Sequence, residues 1–481
     1  MASSSSAVSL VVREIDFGVR PVRLRMPFRF GAVTLQACPQ LFVRAVVEAA
    51  GHGIAQGFAA EMMVPKWFDK RPGFTHSDNV AHLQRSCERT AQAYLNDMPA
   101  SPFGLFARHY GALMEAGAAD GATELSSAYG QAVIDRAVLD AACRALNVSF
   151  FDAARSNVLG LHDDPLLDDL SGFDWSAWLA SLRPLRRIEA RHTIGMLDEL
   201  SAARNGDDGL PITLPAVIEH YGVRVFKIKL GGEPAADAAR LAAVLDVLDA
   251  RVPGHRYTLD GNEQYRDVAS LADFLARLRS LPAHAVRPDA LLYLEQPLPR
   301  EASLDPALHS LDSPVPLLID EADGSLDAFP NAIACGWRGV SSKSCKGLYK
   351  ALVNRARCEQ WNAQAQRDGS ATRCFMSAED LTCQAGLSVQ QDLALLALLG
   401  LSHSERNGHH YGDGFGDAPA HEAAAFATAH PDLYETRSGR TRLHIADGQI
   451  AIDSLLRPGF AHSADPDRTT LRPLADAIAL V

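Results

Sequence analysis

The amino-acid sequence predicts an α/β protein in which a parallel eight-stranded barrel of the (β/α)8, TIM type follows an N-terminal α+β domain. Three observations predict it. From Arg191 onward, short apolar strands alternate with helices, the pattern of successive βα units. Before that, residues 9 to 50 alternate apolar and polar positions in short runs broken by Gly and Pro, as a small antiparallel sheet does. At 481 residues, the chain exceeds one small core and suits a barrel-sized domain with a second domain attached.

Taken in order, Met1-Ala2 and the four serines Ser3 to Ser6 lack the basic start and long apolar run of a secretion signal. They read as a frayed first turn of a soluble, cytoplasmic protein. Runs such as Leu41-Phe42-Val43-Arg44-Ala45-Val46-Val47 supply the sheet, and residues 79 to 98 and 126 to 146 carry helical spacing. In the second helix Ile134, Ala137, Val138, Ala141 and Ala145 share a face. A looser stretch from Asn157 to Trp178 ends this unit, and the first domain is set at residues 1–185.

The barrel is expected over residues 186–430, with strands His192–Gly195, Val225–Lys229, Tyr257–Asp260, Leu291–Glu295, Pro316–Asp320, Gly339–Lys343, Arg373–Ala378 and Ser402–Asn407. Helices at 235–251, 268–281, 347–366 and 387–399 fall between them. In the tail, residues 431–481, strand-like Leu443-His444-Ile445 and Ile450-Ala451-Ile452 flank Asp447-Gly448, and the segment is expected to return to the first domain.

Composition limits the partners. A formal net charge of −12 disfavours a nucleic-acid or anionic-membrane surface, which needs a basic patch, and no stretch reaches membrane-spanning length. A small-molecule ligand is expected. The eight cysteines include no Cys-x-x-Cys pair, so neither a zinc cage nor a disulfide framework is indicated.

Five barrel strands end on a charge after apolar positions: Lys229, Asp260, Glu295, Asp320 and Lys343, at successive intervals of 31, 35, 25 and 23 residues. Each interval is about one βα unit, and parallel barrel strands all end on the face where active sites are built. The five charges should therefore converge. Three carboxylates in one pocket repel unless a cation is present, and hard oxygen donors without soft ones point to Mg2+. Two lysines beside them suit acid/base work, since a cation depresses a lysine's pKa. Lys227, two residues before Lys229, shares its strand face and adds positive charge.

Singly, each motif has an ordinary reading. Lys-x-Lys is commonly a solvated strand end, Asp260-Gly261-Asn262 a turn, and Glu295-Gln296-Pro297 a strand stopped by proline. Asp320-Glu321 with Asp323-Gly324 fails as a calcium loop, whose first ligand would be Ile319. Lys343 has a neighbour, Lys346, and either could be the functional lysine. His403-x-Glu405 lacks the Pro-Cys-x-x-Cys of a deaminase, and Gly412-x-Gly414-x-x-Asp417 fails the dinucleotide fingerprint. The ordered conjunction of the strand-end motifs carries the functional reading.

Those motifs, Lys227-Ile228-Lys229, Asp260-Gly261-Asn262, Glu295-Gln296-Pro297, Asp320-Glu321 and Lys343, resemble in order the enolase superfamily in its mandelate racemase/muconate lactonizing enzyme branch. The resemblance implies a capping domain, completed by the C-terminal tail, over a modified (β/α)8 barrel. It implies Mg2+ held by Asp260, Glu295 and Asp320, with opposed lysine bases of the lysine-paired subgroup; this superfamily is a standard instance of such chemistry. Pro27-Phe28-Arg29-Phe30-Gly31 and Gly57 to Trp67 resemble the two cap loops that close over substrate, and Asp447-Gly448 and Pro458-Gly459 resemble the C-terminal return.

Departures from the family pattern bear on the substrate. Lys346-Gly347-Leu348 stands where a Gly-Gly pair is common, and the eighth-strand region reads Glu405-Arg406-Asn407-Gly408-His409-His410. Candidate substrate contacts are Arg29, Asn262, Glu321, Glu379, Asp380 and His409 or His410. The expected activity is Mg2+-dependent abstraction of the proton alpha to a carboxylate through an enediolate. Racemisation, epimerisation, cycloisomerisation or syn-elimination would follow. The alternatives are a sugar-acid dehydratase and a non-catalytic metal-binding protein of the same fold. A homo-oligomer is implied by the resemblance alone.

Overall fold

The structure is a computed structural model that describes residues 7–481. The frayed turn expected at Met1 to Ser6 lies outside the described residues. The chain opens with an antiparallel meander, β1 (Leu10–Phe30), β2 (Val33–Ala49) and β3 (Gly53–Met62). Three helices, His76–Tyr94, Pro102–Ala119 and Glu124–Leu146, follow. Each starts on a capping side chain: Thr75, in a reciprocal box with Asp78, then Ser101 before Pro102, then Thr123.

The helix Glu124–Leu146 is buried almost all round, because it lies between the meander and the barrel. Gly57 of β3 makes that contact possible. A Cβ there would meet the Ala141 nitrogen at 2.2 Å and the Ala137 carbonyl oxygen at 2.3 Å, so only glycine lets strand and helix backbones approach so closely.

Eight parallel strands form the barrel: β4 (Arg187–Ile194), β5 (Val225–Lys229), β6 (Arg256–Asp260), β7 (Leu291–Glu295), β8 (Leu317–Ile319), β9 (Gly339–Ser342), β10 (Phe375–Ala378) and β11 (His403–Glu405). Each pairs with the next, and β11 pairs with β4 to close the ring. The expected strands are present in order, two of them with identical bounds. β4 begins five residues earlier than expected, and Asp320 and Lys343 are the first residues beyond their strands. Helices cover the outside through apolar stripes such as Leu241, Val244, Leu245 and Leu248. The helix Leu387–Leu399 has no exposed face because it is wedged against β3, where Gln391 Nε2 donates to the Phe58 carbonyl at 2.8 Å.

Two parts differ from expectation. Residues 57 to 62, read as part of a cap loop, belong to β3, so the loop proper starts at Met63. The helix Pro102–Ala119 is absent from the sequence reading, its apolar period diluted by Gly104, Gly111 and Gly117. The tail forms a hairpin, β12 (Tyr434–Arg437) and β13 (Arg440–Leu443), and then β14 (Gln449–Ala451). β14 pairs antiparallel with β4, so this stretch joins the barrel wall. The return to the first sheet and helices starts at Pro458: Phe460 stacks on Phe150 at 4.0 Å, and Arg472 pairs with Val19. Among the described residues no helix is long and apolar enough to cross a membrane.

Candidate active site

Lys229, Asp260 and Glu295 end β5, β6 and β7, and Asp320 and Lys343 follow β8 and β9 directly, so all five open onto one rim of the barrel. β5 and β9 stand four strands apart in either direction round the ring, which puts Lys229 and Lys343 on opposite walls. The three carboxylates occupy the arc between them. Lys229 Nζ lies 2.6 Å from Asp260 Oδ2, and Lys343 Nζ lies 2.7 Å from Asp320 Oδ2. All five side chains are buried.

Lys227 takes the centre. Its ammonium lies 2.9 Å from Asp260, 2.8 Å from Glu295, 2.6 Å from Glu379 and 3.0 Å from Glu405. Burial alone would lower its pKa, but these four carboxylates hold it well above the usual lysine value. Lys346 is held as firmly, with Nζ 2.6 Å from both the Asp320 carbonyl and Ser341 Oγ and 3.0 Å from Asp320 Oδ1.

The carboxylates divide. Burial pushes Asp260 up, but Lys227 and Lys229 bring it below the ordinary carboxylate value. Burial acts likewise on Asp320, and Lys343 and Lys346 take it well below. Glu295 moves the other way: burial, reinforced by Asp260 and Glu379, raises it well above the usual range. Lys343 is pulled down by burial and carried up, past its ordinary value, by Asp320. The depression expected from a nearby cation is thus opposite to the direction set by the protein's own groups.

The first domain roofs this rim. Phe28 sits over Lys229, with Nζ 5.8 Å from the ring centre, and Trp67 covers Lys343 at 4.4 Å. Ser344, next to Lys343, donates to Glu61 of β3 at 2.8 Å, and Glu61 is paired with Arg136. Lys70 reaches down from the second loop to Glu321 at 2.8 Å, Glu263 at 2.7 Å and the Asn262 carbonyl at 3.0 Å. Arg300 binds Glu263 and donates to the carbonyls of Trp67 and Phe68. Outside Lys70 lies a cavity of about 700 Å³ lined by Lys66, Arg71, His76, Glu263 and Arg300.

The candidate substrate contacts separate. Asn262 and Glu321 lie at the rim, where Asn262 Nδ2 donates to Glu321 Oε1 at 3.2 Å. Asn262 holds a left-handed φ of 42°, which aims its amide N–H at Asp260 Oδ1, 2.8 Å away. Glu379 lies deeper inside the barrel, bonded to Arg191, Tyr293 and Lys227. Asp380 accepts from the Cys383 and Gly408 amides and ties the β10 and β11 loops together. Arg29 is exposed, its Nε turned to the Gly31 carbonyl. His409 packs edge-on against Tyr221 outside the ring of strands, and His410 packs against His192. Sequence reasoning missed Glu405, Arg191 and Lys70. Glu405 and Arg191 are barrel-strand charges, and the strand-end rule overlooked them because their strands lack an apolar run.

Residues 213–412 match the family described as enolase C-terminal domain-like, a span that includes all five strand-end charges. No curated protein matches the chain. Solved structures share its fold over nearly the whole length. An isomerase from Streptomyces coelicolor A3(2) is 18% identical, covers 98% of each chain and superposes with a TM-score of 0.57. Muconate lactonizing enzyme from Pseudomonas fluorescens, complexed with muconolactone, is 16% identical, with 95% and 97% coverage and a TM-score of 0.57. An enolase from Bradyrhizobium, complexed with magnesium and mandelic acid, is 18% identical over 98% of both chains, with a TM-score of 0.55. Over residues 213–412 the chain is thus similar to the enolase C-terminal domain-like family, and over nearly its whole length it shares the fold of these solved structures.

Proposed function

We propose that the protein removes the proton alpha to the carboxylate of a small substrate, with Lys229 and Lys343 as the acid/base pair and Asp260, Glu295 and Asp320 as ligands of Mg2+. The observation that carries this reading is the placement of two buried lysines on opposite walls, with three carboxylates on the arc between them. A substrate lying between the two lysines loses its α-proton to one of them as the neutral amine, and the planar intermediate left behind takes a proton on its other face from the second lysine as the ammonium, giving racemisation or epimerisation. Loss of a neighbouring group gives cycloisomerisation in reverse or syn-elimination.

The residues present fit Mg2+. The donors are hard oxygens on adjacent strands, and Asn262 Oδ1 and Glu321 Oε2, buried beside them, accept no hydrogen bond among the described residues. When bound, the ion supplies charge against that building on the substrate carboxylate as the proton leaves. Two structures of like fold, one complexed with muconolactone and the other with magnesium and mandelic acid, support a carboxylate substrate and this ion.

The chain's own groups do the rest. Lys227, locked by four carboxylates, is fixed positive charge and not a proton carrier. Lys346 is engaged below the rim, whereas Lys343 faces the Trp67 ring, which favours Lys343 as the second base. Phe28 and Trp67 exclude water from the two Nζ atoms where the proton is held.

The test is incubation in D2O with Mg2+ and libraries of carboxylates: acid sugars, amino acids and dipeptides. Exchange of the α-hydrogen is expected for at least one class, and it should vanish in Lys229→Ala or Lys343→Ala for the proton on that lysine's face. Normal exchange in both variants would sink the assignment.

A further inference from the structure

We propose that His192, Asp198 and His410 form a second metal site, which takes a divalent transition ion such as Zn2+ and clasps the seam where the barrel closes. His192 lies on β4, Asp198 in the loop after it, and His410 in the short helix Asn407–Tyr411 beyond β11. One donor atom from each lies within 4.8 Å of the other two.

The cluster is separate from the strand-end carboxylates. Along β4, Arg191 and Thr193 face the barrel interior and bond Glu379 and Glu405. His192, between them, therefore points out of the barrel. Its imidazole meets that of His410 edge to face at 4.7 Å. Both residues are more than nine-tenths buried, at 6% and 4% exposure, and His410 Nδ1 has no hydrogen-bond partner among the described residues. A buried imidazole nitrogen without a partner is a cost that a coordinated ion removes.

The donor set chooses the ion. Two imidazoles and one carboxylate suit Zn2+ and its first-row neighbours, whereas Mg2+ takes oxygen. Asp198 is already oriented, since the Gly195 amide donates to Oδ2 at 2.9 Å and the Tyr411 hydroxyl to the carboxylate at 2.9 Å. The nearby guanidiniums are neutralised, Arg25 by Asp208 and Arg442 by Asp413. Tetrahedral bonds of about 2.0–2.1 Å set donors roughly 3.3 Å apart, so loading draws the three side chains inward by about 1 Å.

The position gives the role. β11 is three residues long and pairs with β4 through His403, Ser404 and Glu405, with one further bond each from the Ser402 carbonyl and the Arg406 amide, so the closing seam is short. An ion on residues from both sides of it fastens the ring. Tyr411, next to His410, lies 4.4 Å from Phe28, so the clasp also steadies the residue over Lys229.

The test uses the full chain, stripped with a chelator and held in excess Mg2+, titrated with Co2+. One equivalent is expected to bind with the visible absorption of a nitrogen-ligated ion, to be displaced by Zn2+ and to raise Tm. Affinity should fall about 100-fold in His410→Ala and Asp198→Asn and stay unchanged in Asp260→Asn. No visible bands, or bands that persist in folded His410→Ala, would overturn the proposal. Should His410→Ala not fold, X-ray absorption of the Co2+-loaded wild type decides: two imidazole ligands support the site, and an all-oxygen shell refutes it.

Discussion

Lys343 Nζ lies 4.4 Å from the centre of the Trp67 ring, so a residue of the second loop shields a barrel lysine from solvent. A desolvated contact of an ammonium with an indole is worth about 2 kcal/mol, a factor of roughly 30. Trp67→Ala should therefore slow α-hydrogen exchange by about 10- to 30-fold, with a smaller loss in Trp67→Phe, which keeps a ring. Equal rates in wild type and Trp67→Ala would remove the ring from the mechanism.

The carboxylate arc makes a separate prediction about metal. Asp260→Asn removes a proposed ligand of Mg2+ and also frees Lys229 from its 2.6 Å partner. Mg2+ affinity by calorimetry should drop at least about 100-fold, and chelation of the wild type should stop exchange until Mg2+ is restored. Exchange that persists in chelator would contradict the metal assignment.

Lys70 joins the second loop to the barrel by binding Glu321 and Glu263, and Glu321 is fully buried. Breaking one partner of a buried ion pair strands the other, at about 3–5 kcal/mol. Lys70→Ala should lower stability by the smaller part of that range, because Lys70 itself keeps some exposure, and should expose residues 63–72 to protease. Glu263 adds a pH dependence. Burial raises it, but Lys70 and Arg300 carry it down to about 2. Its contribution is complete above the unfolded value of about 4.3 and is lost as pH falls toward 2. The protease sensitivity of the wild type should rise over that window, and a flat profile would show that the latch bears no load.

The barrel was legible because its strands advertise themselves: Phe226-Lys227-Ile228-Lys229 and Leu318-Ile319-Asp320 are apolar runs ending on a charge, and helices of ordinary amphipathic period separate them. The same rule failed for Arg191 and Glu405. Their strands, Ala190-Arg191-His192-Thr193 and His403-Ser404-Glu405, carry polar side chains into the interior, where Lys227, Tyr293 and Ser377 satisfy them. Only the closed ring shows that those partners exist. Lys70 illustrates another limit, since a lysine in a loop acquires meaning only when folding brings it to Glu321, far along the chain. Arg29 is the converse case, a charge in a loop of the expected kind whose side chain turns outward.

Buried histidines contribute to the response to acid, and His403 and His430 are two of them. Burial, aided by Arg191, lowers His403 to about 3, and burial, aided by His462 and Arg457, lowers His430 to about 4. Their neighbours explain why protonation is resisted: His403 Nδ1 faces an Arg191 nitrogen at 2.8 Å, and His430 Nε2 accepts the Ser463 amide at 3.1 Å. Unfolded, each would titrate near 6.5. Below that pH the unfolded chain binds protons that the folded chain refuses, so stability is full above about 6.5 and declines as pH falls toward the folded values. Each histidine contributes a slope of about 1.4 kcal/mol per pH unit, and the pair removes roughly 4 kcal/mol between pH 6.5 and 5. That is a large share of a typical folding free energy of about 5–15 kcal/mol. Urea midpoints measured across this range should fall with acid, and His430→Gln, which keeps a polar side chain without a titrating ring, should reduce the slope by the share of one histidine, about 1.4 kcal/mol per pH unit at most. A slope unchanged by that substitution would place the acid sensitivity elsewhere.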